Sequence, residues 1–170
     1  MPSDVDETLD PVPLPDAVSR LALRKARAVA TMRPADVVLG ADTIVVIDGR
    51  ALGKPADAAD ARAMLQTLCG RTHEVMTGVA VVDAVSGREA ADTVISRVTM
   101  RAYSNAAIDA YVAGGEPLDK AGAYAIQGEG GALVAGLVGS RSNVVGLPLA
   151  ATATLLARFG VAVSAPPPEA

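Results

Sequence analysis

The sequence predicts an α/β protein built on a mixed sheet with flanking helices. Three observations carry that expectation. Helix-period and strand-period segments interleave along the chain, Asp48-Gly49 marks a hairpin, and helical segments stand where crossovers between strands belong.

Taken in order, residues 1–15 are rich in Pro and Asp and read as a loop. A helix is expected from Asp16, as N-cap, to Met32, and Pro34 ends it. Val37–Leu39 and Ile44–Ile47 are β-branched-rich and read as strand, with Gly40-Ala41-Asp42-Thr43 between them. A second helix runs from Asp57 to Cys69 and is closed by Gly70. Val75–Val82 reads as a buried strand, and Thr93–Arg101 alternates between apolar and polar faces. Ser104 caps a third helix to Ala113, stopped by Gly114-Gly115. Short strands are expected at 122–127, 132–138 and 143–146, then a last helix over Leu149–Phe159. Residues 1–162 read as a single domain, with no internal repeat and no separating linker, and 163–170 as a disordered tail.

Composition narrows the function. The chain has 170 residues, 51% of them hydrophobic, so a sizeable aliphatic core can be buried. Aromatic residues make up only 2%, which leaves few rings for stacking bases. The net charge is −4 and no Lys/Arg cluster offsets it, which argues against general nucleic-acid binding. A small polyanionic substrate needs only a few local lysines or a screening metal ion. One cysteine, Cys69, allows no internal disulfide and fits a reducing compartment. There is no secretory h-region, and no apolar run of about 18 residues for a membrane span. The protein reads as cytoplasmic, with no membrane partner.

Several residues break their local pattern. Asp42 lies in an almost wholly apolar stretch, where an unpaired carboxylate would cost several kcal/mol to bury. It is therefore paired, metal-bound or reactive, or else it caps a bend beside Gly40. Lys25 falls near the centre of an apolar helical stripe formed by Val18, Leu21, Ala22, Val29 and Met32, so it either snorkels or meets an anion. Lys54 in Leu52-Gly-Lys-Pro55 and Lys120 in Pro117-Leu-Asp-Lys-Ala-Gly122 read, on their own, as ordinary loop lysines. Asp4, Asp6 and Glu7 form an acidic run that either holds Mg²⁺ through oxygen ligands or is simply solvated. Gln127, before the Gly-rich stretch 128–131, carries both donor and acceptor; it can read a base edge or cap a sheet edge. His73, the one histidine, cannot make a zinc site with one distant Cys69 and reads as structural. No nucleophile elbow, Walker A or dinucleotide fingerprint is present.

Taken together these segments resemble the Maf family. The matching segments are Pro2-Ser-Asp-Val-Asp-Glu-Thr8, Lys25-Ala26, Gly40-Ala-Asp-Thr43, Leu52-Gly-Lys-Pro55 and Leu68–Gly78. Tyr111–Tyr124, Ile126-Gln-Gly128 and Ser142-Asn-Val-Val-Gly-Leu-Pro148 follow in family order. The resemblance implies a Maf/inosine-triphosphatase-like fold with two lobes around a cleft. It implies a nucleoside triphosphate pyrophosphatase that needs a divalent metal, Mg²⁺ or Mn²⁺, and homodimers are common in the family. It assigns Asp42 as acceptor of the attacking water's proton and places Lys25, Lys54 and Glu7 at the nucleotide or its metal. Glu7 and Asp42 are the metal candidates, Lys120 is a further phosphate partner, and Thr43 and Gln127 are specificity positions.

Gly40-Ala-Asp-Thr43 and Ile126-Gln-Gly128 resemble the branch that prefers dTTP and UTP in nucleotide house-cleaning. A 7-methyl-GTP pyrophosphatase, or a catalytically impaired nucleotide-binding protein linked to cell division, are the alternatives. Family members begin with a strand and helix carrying Ser-x-x-Arg-Arg, whereas Met1 here stands directly before Pro2-Ser3-Asp4. Either the start codon is placed too late, or the family's first strand and helix are absent; without that segment, lower activity and stability are expected.

Overall fold

Helix α1, Leu14–Met32, lies with Ala17, Val18, Leu21, Ala22, Ala26 and Ala30 buried. These recur at three- and four-residue intervals, and small side chains dominate the stripe. The computed structural model describes residues 5–164. After α1 come strands β1 (Val37–Ile47) and β2 (Arg50–Leu52), helix α2 (Ala58–Leu68), and strands β3 (Thr72–Asp83) and β4 (Glu89–Met100). Helix α3 (Asn105–Ala113), three short 3₁₀ turns, β5 (Val134–Val138), α4 (Arg141–Val145) and α5 (Leu149–Ala157) complete the chain.

The strands form one sheet in the order β2-β1-β3-β4-β5. The α/β class and the flanking helices are as expected, but the pairing is antiparallel rather than mixed. The reason lies in the connections. β1 and β2 form a hairpin in which Ile47 faces Arg50, closed by Asp48 and Gly49 with φ of 51° and 72°. Helix α2 then crosses from β2 to β3, with β1 between them in the sheet, so the crossover creates no adjacent parallel pair.

The chain divides into two compact units, and β1, β3 and β4 each give residues to both. The first comprises residues 1–43, 76–94 and 146–170. One apolar cluster there joins Ala22, Ala26 and Ala30 of α1 to Val38, Ala80 and Val82. The odd-numbered Val79 and Val81 pack instead with Leu155, and Ala41, Leu147 and Phe159 join them. Alternation along the strands therefore gives α1 one face and α5 the other. The second unit comprises residues 44–75 and 95–145. Its core unites Val45, Ile47, Val75, Val98 and Met100 with Leu65 and Leu68 of α2 and Ile108 and Tyr111 of α3.

Four expectations need correction. Residues 40–43 do not separate two strands, because β1 runs unbroken from Val37 to Ile47. Helix α1 starts at Leu14, two residues before the expected cap. Residues 122–127 form no strand, since Gly122 and Ala123 have φ of 68° and 59° and sit in a 3₁₀ turn. Residues 143–146 were expected as strand, yet 141–145 is helical, with the Asn143 N–H bonded to Ser140 Oγ at 3.0 Å. Of the expected tail, residues 165–170 lie outside the described residues, as does Asp4 of the acidic run. Among the described residues no helix is long and apolar enough to cross a membrane.

Helix α1 meets the sheet backbone to backbone. A Cβ on Gly40 would stand 2.5 Å from the Ala22 carbonyl oxygen, and one on Gly78 would stand 2.4 Å from that of Val18. Neither carbonyl can give way without moving the helix. Gly78→Ala is therefore expected to cost about 1–3 kcal/mol of unfolding free energy. Urea denaturation measures it, and an unchanged midpoint would show that α1 can step back freely.

Candidate functional site

The first unit holds a three-residue charge cluster. Lys25 points from α1 to β1, where its Nζ lies 2.5 Å from Asp42 Oδ1. The same nitrogen lies 2.6 Å from Glu7 Oε1. The Lys25 and Asp42 side chains are only 18% and 13% exposed, so water screens the pair weakly. Of the two readings open for Lys25, the anion is the correct one. The bend-capping reading of Asp42 falls with the continuity of β1.

Burial by itself would lower the Lys25 ammonium's pKa. The hydrogen bonds that the ammonium donates to Asp42 and Glu7, and their charges, outweigh it and raise the pKa above 10.5. Lysine thus stays a cation and holds two carboxylates together.

Glu7 reaches this cluster from a loop, and Arg24 anchors the loop. Arg24 donates to Asp10 Oδ1 at 2.7 Å and to the Thr8 carbonyl at 2.6 Å. Asp6 is used locally, accepting from the Thr8 hydroxyl at 2.6 Å and the Thr8 N–H at 2.9 Å. These bonds hold its carboxyl below the usual range. Arg24 went unnoticed in the sequence because it adjoins Lys25 and looks like an ordinary surface charge.

Thr43 follows Asp42 on β1. Its hydroxyl lies 2.9 Å from that of Thr77, a fully buried residue of β3. Gly146, with φ of 117°, faces the same hydroxyl, since a Cβ there would be 3.5 Å from Thr43 Oγ1. Thr77 was not foreseen, because a threonine in a β-branched strand gives no signal of its own.

The second unit carries the remaining candidates. Lys54 is exposed, and its loop is tied to the Lys120 segment by the Gly122 N–H bonding the Gly53 carbonyl at 2.9 Å. Lys120 Nζ lies 2.5 Å from Asp119 Oδ1. Gln127 is exposed in a bend before Gly128. The structure thus gathers Lys25, Asp42 and Glu7, with Thr43 next in sequence, in one unit, and Lys54 and Lys120 in the other.

Glu7 and Asp42 also fit a divalent cation, because both already converge on one positive charge. Among the described residues no group of three or more His, Cys, Asp or Glu side chains could hold a metal by itself. Mg²⁺ commonly takes only one or two carboxylates and fills its shell with phosphate and water oxygens.

His73 supports the segment leading to Gln127. It is 2% exposed, and its Nε2 lies 2.8 Å from the Tyr124 hydroxyl. Its Nδ1 is buried with no hydrogen-bond partner among the described residues. Burial lowers the ring's pKa from 6.5 to about 4. The unfolded chain therefore binds more protons between those values. The stability this neutral ring contributes is complete above pH 6.5 and is lost as the pH falls toward 4, on the order of 3 kcal/mol in all. Melting temperature is expected to drop over that window, and His73→Gln, which does not titrate, to flatten the drop. Parallel profiles for the two proteins would place the acid-sensitive group elsewhere.

Comparison with known proteins gives a consistent picture. A family model described as Maf-like protein matches residues 1–159. The dTTP/UTP pyrophosphatase of Moorella thermoacetica is 55% identical over 163 residues, which cover 95% of this chain and 84% of the relative. That of Anaeromyxobacter dehalogenans strain 2CP-C is 56% identical, covering 94% of this chain and 81% of the relative. That of Myxococcus xanthus is 53% identical, covering 94% and 80%.

Proposed function

The chain belongs to the Maf family, and from that premise we propose that it hydrolyses dTTP and UTP to the monophosphate and pyrophosphate. The single observation that best supports this is the Lys25–Asp42–Glu7 cluster, a shielded carboxylate mid-strand with a fixed cation beside it. A carboxylate there serves hydrolysis, because its apolar frame strengthens each charge interaction.

In this reading Asp42 takes the proton of a water whose oxygen bonds to the α-phosphorus, while the bond from that phosphorus to the bridging oxygen breaks. Lys25 keeps Asp42 ionised and oriented. Lys54 and Lys120 supply positive charge for the departing pyrophosphate. Thr43, its hydroxyl set by Thr77, and Gln127 discriminate the base. A divalent cation held by Glu7 and Asp42 would neutralise phosphate charge and polarise the phosphoryl group. A homodimer in the cytoplasm, free of membrane and nucleic acid, belongs to the same proposal.

A panel of nucleoside triphosphates with pyrophosphate detection tests the substrate. Preference for dTTP and UTP is expected. Preference for 7-methyl-GTP would move the chain to the family's other branch, and tight binding without turnover would make it a nucleotide sensor. Asp42→Asn keeps the shape but cannot accept the proton, so kcat is expected to fall about 10²-fold or more with the fold intact by circular dichroism. Near-native turnover would make Asp42 structural. Lys54→Ala is expected to raise KM and lower kcat together. Chelator is expected to stop the reaction and Mg²⁺ or Mn²⁺ to restore it.

A further inference from the structure

Gln127 sits in a segment, residues 124–128, that belongs to no helix or strand. Its anchorage comes from two side chains earlier in the chain. The Ala125 N–H donates to the Tyr111 hydroxyl at 3.2 Å, and the Gly130 N–H donates to Glu116 Oε2 at 3.0 Å. These two bonds grip the loop on either side of Gln127. Burial, together with the negative charge of Glu116 beside it, raises the Tyr111 hydroxyl's pKa. Tyr111 is 6% exposed and packed into the core of its unit, so the bracket has a rigid base.

The glycines around Gln127 are shaped to this bracket. A Cβ on Gly128 would stand 2.1 Å from Glu116 Oε1, and one on Gly130 would stand 2.4 Å from the Tyr111 hydroxyl. Gly128 also holds φ of 91° and ψ of −154°, a conformation open in practice to glycine alone. Glu116 opens the 3₁₀ turn that ends at Asp119, directly before Lys120. One carboxylate therefore links the Lys120 turn to the Gln127 loop.

We propose that Glu116 and Tyr111 are positioning residues that set where Gln127 meets the base, and so set base preference without touching the nucleotide. The inference rests on the base-reading role of Gln127 proposed above. An amide reads a base only at hydrogen-bond distance, and misplacement by about 1 Å can cost on the order of 10²-fold. Either oxygen of the Glu116 carboxylate can accept from the Gly130 N–H, whereas a glutamine there offers one oxygen and can turn an NH₂ toward that donor.

The test compares wild type, Glu116→Gln, Tyr111→Phe, Gln127→Ala and the double variant Glu116→Gln/Gln127→Ala, using dTTP, CTP and the baseless substrate methyl triphosphate. Glu116→Gln is expected to lower kcat/KM for dTTP about 10-fold, mainly through KM, and to erode preference over CTP by a similar factor. Methyl triphosphate is expected to stay within about two-fold. On the Gln127→Ala background the same change is expected to add less than about two-fold, the mark of residues acting through one another. Tyr111→Phe, which alters no charge, is expected to repeat the pattern if Glu116→Gln folds poorly. Equal losses on dTTP and methyl triphosphate, or full additivity with Gln127→Ala, would overturn the clamp and leave a merely structural bond. A Gln127→Ala variant that keeps full preference for dTTP would overturn the base-reading role itself, a different and separately visible result.

Discussion

The contact on which the first unit depends is the bare-backbone approach of α1 to β1 and β3. Gly40 and Gly78 remove the side chains that would hold the helix away. Ala22 and Ala26 complete a surface that lets the helix axis lie close over the strands. Residues 38, 40 and 42 share one face of β1, the face that α1 covers. The third of these is Asp42, and the helix above it carries Lys25. Close packing thus decides that a lysine and an aspartate meet where solvent is scarce.

That meeting is poorly explained as a device for stability. Taking two charges out of water costs several kcal/mol each, and their attraction commonly does no more than offset it. A pair of aliphatic residues would fill the same space without that cost. The arrangement makes sense when the carboxylate must stay ionised and aimed, which a shielded lysine achieves better than a solvated one. Glu7 adds a second negative charge beside the same nitrogen, bringing the cluster to one excess negative charge.

Much of this was legible from residue types, and the unread part has physical causes. Asp42 and Lys25 stood out because each violates its local periodicity, and the structure answers one violation with the other. Their partnership could not be read, because Gly40 looks like a turn residue in a sequence and is a packing residue in the fold. The hairpin at Asp48-Gly49 and the cap at Ser104 were plain, since local chemistry fixes them. Residues 122–127 misled because positive φ at Gly122 and Ala123 depends on packing beneath them: a Cβ on Gly122 would strike Val45. The valines of 143–146 favour a strand, but buried Asn143, donating to the Val75 carbonyl and to Ser96 Oγ, holds its segment as a helix. Thr77 and Glu116 were silent because what sets them apart lies wholly in what they touch.

The way Glu7 is fastened has a consequence of its own. Lys25 and Asp42 sit on a helix and a strand, so their charges form a fixed dipole. Glu7 sits on a loop whose described ties run chiefly through a single guanidinium, that of Arg24. The cluster is therefore composite: a neutral, permanent half and an anionic half fastened by one side chain. Trimming the loop, or replacing Arg24, would change the electrostatic valence of the cluster by one while leaving its framework standing. The net charge of the cluster could in this way be retuned by sequence changes outside the sheet, independently of the carboxylate at its centre.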